Sequence, residues 1–366
     1  MMFHLRRRAF LQVTAAGAAA CWAGGTVAGA QAAAMGGPLI SPGARRSKVR
    51  VAKVYLGIPN AHWPTPAMDL AREMEVYEDA FAQRAAAFGD VEFPVNQLVT
   101  TVEGAQEAAT KLAGMDGVLA IHLSMGVTPM LQKILAAGTP TMLFAAPYSG
   151  HEWTHFGQIM RNPEGALLDC VLTSDLDQLA AAVRPFRAMH HLREAKIVNV
   201  SERESSAEYL QAVRTKFGTE IVRIERDRVL AAYEAVPEAA AKAEARQWIA
   251  NAEKVVEPST EEIENSCRLA LAFERLLQEE DATTITVDCY GTMYRKLPAF
   301  PCIGFTRLND MGFAGICESD LKSAMTFILM QSLSGNPGFI SDPTLDESKP
   351  GIILAHCLGS TKMHGP

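Results

Sequence analysis

The chain has 366 residues, 48% of them hydrophobic and 20% charged, with a formal net charge of −7. That length and apolar content suffice for a sizeable core divided over two or three domains. The acidic balance with mixed signs argues against nucleic acid as a partner, and no apolar run beyond the N-terminal segment reaches the roughly 18 residues of a membrane span.

The first thirty residues read as an export signal. Arg7-Arg8 with Phe10-Leu11 forms a twin-arginine pattern, an Ala/Gly-rich run follows from Val13 to Ala30, and Ala28-Gly29-Ala30 supplies small residues for cleavage before Gln31. A lipid anchor at Cys21 is disfavoured, because Ala18-Ala19-Ala20 lacks the larger aliphatic residue usual before such a cysteine. Residues 1–30 are thus expected to leave a periplasmic or secreted protein with no stable membrane anchor. The twin-arginine route carries folded proteins, often with a cofactor already inserted, which suits a metal site. Residues 31–48, with Gly36-Gly37-Pro38 and Pro42-Gly43, read as a linker.

From Val49 the pattern alternates between strand and helix. Val49–Ile58 is a mostly apolar strand, Pro66–Phe88 has helical periodicity, and Gly117–Leu123 is a second buried strand. Thr128–Ala137 is a helix stopped by Gly138-Thr139-Pro140, and Thr141–Ala146 is a third strand. Near-continuous apolar strands separated by amphipathic helices predict a doubly wound parallel sheet over 49–155. A second unit of the same kind is expected over 156–300. It contains an apolar segment at Gly165–Leu172, a helix at Asp175–His190, strands at Ala195–Val200 and Glu220–Ile224, and a helix at Glu208–Phe217. A long Ala/Glu/Arg-rich helical stretch then runs from Val229 to Glu280, broken at Pro258, where Ser259 or Thr260 with Glu262 or Glu264 can start a new helix. Thr283–Asp288 is a further strand. The fold class is therefore α/β, with two Rossmann-like domains followed over 301–366 by the start of a β-rich region.

Ligands in such sheets gather past the carboxyl ends of the strands. His62 and Trp63, Ser124, the segment Tyr148-Ser149-Gly150-His151, and Asp288 have that address. Glu318 follows the strand-like Phe313–Cys317 and precedes a helix at Asp320–Leu333. A carboxylate there could serve the helix dipole, but Asp320 can do so equally, leaving Glu318 available. Asp342 follows Phe339-Ile340, and His356 ends Ile352–Ala355. With one helix and one strand between Glu318 and Asp342, these three residues can converge. Two carboxylates and an imidazole on a hard divalent ion suit the polarisation of a sugar carbonyl. The six cysteines after the signal show no CxxC spacing and read as buried small hydrophobes.

The segment Pro301-Cys302-x-x-Phe305-x-Arg307-Leu308-Asn309-Asp310-x-Gly312, followed by Cys317-Glu318-x-Asp320, Phe339-x-x-Asp342 and Ala355-His356-Cys357, resembles the L-fucose/L-arabinose isomerase superfamily. The resemblance implies a metal, commonly manganese, held by Glu318 and Asp342 with His356 as a further ligand, and a trimeric or hexameric homo-oligomer. In that family the chain continues into a β-rich domain with another histidine ligand, so region 301–366 is expected to be truncated; His364, in a Gly/Pro tail, is a poor substitute for that ligand. The expected reaction is a metal-dependent aldose–ketose isomerisation of a small-molecule sugar through an ene-diolate. Oxygen-rich ligation selects Mn²⁺ or Mg²⁺, and Glu318 and Asp342 act as catalytic acid and base. Asp288, Arg307, Asn309 and His62 are the expected substrate-binding or ligand-orienting residues. The competing expectation is a non-catalytic exported carbohydrate-binding protein with the sugar between its α/β domains. Such proteins need aromatic platforms, and only 7% of residues here are aromatic.

Overall fold

The computed structural model describes residues 47–146, 150–293 and 296–363. The expected signal, nearly all of the linker, Tyr148, Ser149 and His364 lie outside them, as does the side chain of His151.

Five strands form the first sheet: β1 (Val49–Leu56), β2 (Val91–Val99), β3 (Gly117–His122), β4 (Thr141–Ala145) and β5 (Leu168–Leu172). Their order is β2-β1-β3-β4-β5 and every pairing is parallel. The three central strands are buried almost throughout, which is why they read as continuous apolar runs. Successive residues serve opposite faces. Val51, Tyr55, Leu119 and Ile121 pack under Tyr77 and Phe81 on one side, and Val54, Leu56, Val118 and Ala120 under Leu131 and Ile134 on the other.

Strand β2 fills a stretch where the sequence shows no clear element. Arg50 pairs with Glu92 but Ala52 pairs with Val95, so a bulge at Phe93-Pro94 interrupts the ladder. A proline has no N–H to donate and is tolerated on an edge strand at such a bulge. Leu168–Leu172, read from sequence as opening the second unit, pairs with β4 and closes the first sheet instead.

The second sheet holds β6 (Lys196–Val200), β7 (Glu220–Ile224), β8 (Thr284–Val287) and β9 (Ala314–Cys317) in the order β7-β6-β8-β9, again wholly parallel. Both sheets reverse strand order beside their first strand, so both are doubly wound, as the alternating pattern predicts. The long helical stretch becomes three helices, Arg226–Glu234, Glu238–Asn251 and Thr260–Glu280. The last starts in a capping box: Ser259 accepts from the Glu262 N–H at 3.2 Å, and the Glu262 carboxylate accepts from the Ser259 N–H at 2.7 Å. Ser259→Ala is expected to lower the unfolding free energy by about 1 kcal/mol, read as a lower urea midpoint at unchanged slope.

One helix, Arg184–Glu194, ties the two sheets together. Its Phe186 lies against Gly117 so closely that a Cβ there would stand 2.2 Å from the ring. Its Leu192 belongs to the core under β6 and β9, and His191 shares a hydrogen bond of 2.8 Å with Ser332. Arg187 forms a buried pair with Asp90 ahead of β2 at 2.6 Å.

Beyond Pro301 come a helix (Cys302–Asp310), strand β9, a helix (Leu321–Ser334) and a two-stranded antiparallel hairpin of β10 (Asp342–Asp346) and β11 (Gly351–Ala355). The strand expected between Glu318 and Asp342 is not formed. Ile340 packs on the second core, and pairing begins only at Asp342, which therefore opens a strand rather than ending one. Leu345, Ile352, Ile353 and Leu354 of the hairpin are exposed.

Candidate metal centre

Glu318 leaves the carboxyl end of β9 with φ 66°, and Ser319 follows with φ 57°. Two consecutive non-glycine residues in the left-handed region cost on the order of 1–3 kcal/mol each and persist only where neighbours enforce them. Here the Ser319 N–H donates to the Val287 carbonyl at 3.0 Å, and its hydroxyl donates to the Asn199 side chain. Asp320 caps the following helix, accepting from the N–H groups of Lys322 and Ser323 at 3.0 Å each. Asp320 thus performs the helix-start duty, and the turn carries the Glu318 carboxylate out from the sheet edge into solvent.

The hairpin register sets Asp342 opposite Ala355, with His356 one residue on. The ligand atoms of Glu318, Asp342 and His356 all lie within 4.8 Å of one another, with the carboxylates exposed and the imidazole half-buried. Opposite ligands of an octahedral ion at 2.0–2.1 Å stand roughly 4.2 Å apart, so a small side-chain rotation would close the set on one ion. Two carboxylates and an imidazole, with solvent reaching the remaining positions, fit a hard divalent metal.

The other expected site residues have different addresses. Asp288 follows β8, the strand paired with β9, and accepts from the Gly291 N–H at 2.8 Å. Arg307 is held by Glu244 at 3.0 Å and Glu274 at 2.6 Å. Asn309 is fully buried and bridges the N–H and carbonyl of Gly315 at 2.7 and 3.2 Å, fixing the helix against β9. His62 sits past β1 in the other sheet, exposed, with φ 64°. Ser124 closes the reversal point of that sheet, accepting from the Ile58 N–H at 2.7 Å.

Spacing did not reveal the thiols around this centre. Cys289 and Cys317 have their sulfurs 3.1 Å apart. The contact with the Cys317 thiol lowers Cys289 to about 7, whereas the same contact together with burial raises Cys317. Burial, reinforced by Cys357, lifts Cys302 to about 12. Cys289 also lines a cavity of about 620 Å³ with Leu297, Phe300, Pro301 and Ile303, a volume within the range of small-molecule sites.

At the carboxyl end of the first sheet's central strand, His122 of β3 donates to Glu152 at 2.8 Å in full burial. Glu152 also accepts from the N–H and hydroxyl of Thr128 at 3.1 and 2.8 Å. Burial would raise this carboxyl, but the bonds from His122 and Thr128 outweigh it and hold Glu152 at about 2. A depressed carboxyl stabilises the fold above its unfolded value of 4.5 and loses that contribution as pH falls from there towards 2. The loss is on the order of 2–3 kcal/mol. Urea unfolding across this range is expected to show it, and Glu152→Gln is expected to flatten the slope.

No protein-family model matches the chain. A sulfoquinovose isomerase of Clostridium sp. (strain MSTE9) is 29% identical over 91 residues, which is 25% of this chain and 20% of that protein. A sulfoquinovose isomerase of Alkalicoccus urumqiensis is 21% identical over 97 residues, 26% of this chain and 22% of that protein. The chain spans about a fifth of the length of these curated relatives. Mixed α/β in fold, it is weakly similar over about a quarter of its length to proteins named as isomerases of a sugar.

Proposed function

We propose that the protein is a metal-dependent sugar isomerase that interconverts an aldose and a ketose through an ene-diolate. The observation that carries this reading is the convergence of Glu318, Asp342 and His356, from two strand ends and a strand start, within 4.8 Å. The similarity to the two sulfoquinovose isomerases supports it.

Glu318, Asp342 and His356 would hold a hard divalent ion, Mn²⁺ or Mg²⁺, which spreads negative charge developing on the substrate oxygens. Moving a proton between adjacent carbons requires a base to take it from one and an acid to protonate the neighbouring oxygen. The two exposed carboxylates are the groups of the trio suited to these roles. Asp288, just past the end of the neighbouring strand, would orient a sugar hydroxyl or a ligand. The exposed apolar side chains of the hairpin that carries Asp342 and His356 suit a homo-oligomer in which a second copy covers them. Export by the twin-arginine route belongs to the same proposal, since it would deliver a folded, metal-loaded protein.

The test uses the purified full chain with Mn²⁺ and, in turn, sulfoquinovose and unmodified aldoses in D₂O. The expected result is ketose formation with deuterium entering the carbon next to the carbonyl, abolished by chelation. Absence of both turnover and exchange with every sugar would overturn the reading. Sugar binding without either would favour the carbohydrate-binding alternative.

A further inference from the structure

The carboxylate set does not account for the thiols beside it, of which Cys289 and Cys317 are buried and Cys357 exposed. Cys289, Cys302, Cys317 and Cys357 come from four separated segments. They are the turn that follows β8, the first turn of the Cys302–Asp310 helix, the last residue of β9 and the segment after β11. Cys317 and Cys357 also form, with His356, a group whose ligand atoms lie within 4.8 Å of one another. The Cys289 sulfur stands 3.1 Å from the Cys317 sulfur.

Two thiolates and an imidazole are soft to borderline donors, the opposite chemistry to Glu318 and Asp342. Ligands of a tetrahedral zinc ion, at about 2.3 Å for sulfur and 2.0–2.1 Å for nitrogen, lie roughly 3.4–3.8 Å apart. The group therefore needs only side-chain adjustment to close on an ion. The Cys317 sulfur already has the Cys289 thiol beside it, so the fourth position is flanked by sulfur. His356 is common to both groups. A neutral imidazole has one free nitrogen lone pair, its other nitrogen carrying the proton, so the ring in that form serves one ion at a time.

We propose that Cys317, Cys357 and His356 form a second metal site, selective for zinc or a similarly thiophilic divalent ion, whose occupancy excludes a hard ion from the Glu318–Asp342–His356 set. The protein then has one histidine that turns to either of two metals. Thiophilic ions would act as antagonists of the hard ion without touching either carboxylate.

The experiment uses the full chain, reduced and with its thiols free, titrated with Co²⁺ and then Zn²⁺. Co²⁺ is expected to produce the near-ultraviolet thiolate-to-cobalt charge-transfer absorption, and Zn²⁺ to bleach it. Cys317→Ser and Cys357→Ser are each expected to remove at least half of that absorption, and the double variant all of it. Cys170→Ser, outside the cluster, and Glu318→Gln and Asp342→Asn, which change only the carboxylate set, are expected to keep it. Bound Mn²⁺, followed by its electron paramagnetic resonance, is expected to be released by Zn²⁺ from the unaltered chain and retained in the double cysteine variant. No charge-transfer band with Co²⁺, or a band that survives in the double variant or vanishes in Glu318→Gln, would overturn the proposal. Failure of Mn²⁺ to bind at all would count against the proposed isomerase site and leave the thiolate readout standing.

Discussion

Glu318→Gln is expected to lower turnover by about 10²–10⁴-fold, the range seen when a positioned acid or base is lost, and to reduce bound Mn²⁺ in parallel. The amide keeps the size of the side chain but loses the charge that both metal binding and proton transfer require. The residue sits at φ 66°, followed by Ser319 at φ 57°, so the turn stores strain that a glycine would relieve. Glu318→Gly is therefore expected to be as inactive as Glu318→Gln while leaving stability unchanged or raising it by up to about 1 kcal/mol. A functional role predicts that split between activity and stability. Full turnover with undiminished metal in Glu318→Gln would remove this residue from the site, and lower stability in Glu318→Gly would mean the carboxylate serves the fold.

The largest expected effect on stability falls elsewhere, at Arg187. Its guanidinium donates twice to Asp90, at 2.6 and 2.8 Å, and once to the Ala87 carbonyl at 3.0 Å, with the side chain 3% exposed. Removing one partner of a buried pair leaves the other charge without compensation, at a cost of about 3–5 kcal/mol. Arg187→Ala is expected to lose that much in urea unfolding. The effect reaches both sheets, because Arg187 lies on the helix that joins them and Asp90 leads into β2. Arg187→Lys keeps the charge but not the planar fork and is expected to recover only part of the loss. Replacing both partners, as Arg187→Met with Asp90→Asn, is expected to cost less than Arg187→Ala alone. A loss below about 1 kcal/mol in Arg187→Ala would show that the pair contributes little.

What could be read from the sequence was whatever depends on local periodicity. The buried strands β1, β3, β4, β6 and β8 are short apolar runs because both of their faces are covered, and the α/β class follows from their alternation with amphipathic helices. The Ser259–Glu262 box is legible because both partners sit within one turn. The edge strand β2 escaped notice, since one of its faces is exposed and Pro94 breaks its pattern at a bulge. Arg307 and Asn309 lie within a recognisable motif, yet the fold engages them with Glu244, Glu274 and Gly315, partners up to 63 positions away.

The candidate centre divides along the same line. Glu318, Asp342 and His356 could be named from their residue types and from the apolar runs they flank, because a polar residue at the edge of a buried strand is a local feature. Their meeting depends on the hairpin register that sets Asp342 opposite Ala355 and on the left-handed turn at Glu318. The thiols are the clearer case. Cys289, Cys302, Cys317 and Cys357 show no paired spacing in sequence, and the parallel register of Val287 with Cys317 brings Cys289 beside the end of β9. The sequence by itself determined which segments are buried and which chemistry they carry. Strand order and register, set by packing over the whole sheet, decided which of those groups meet.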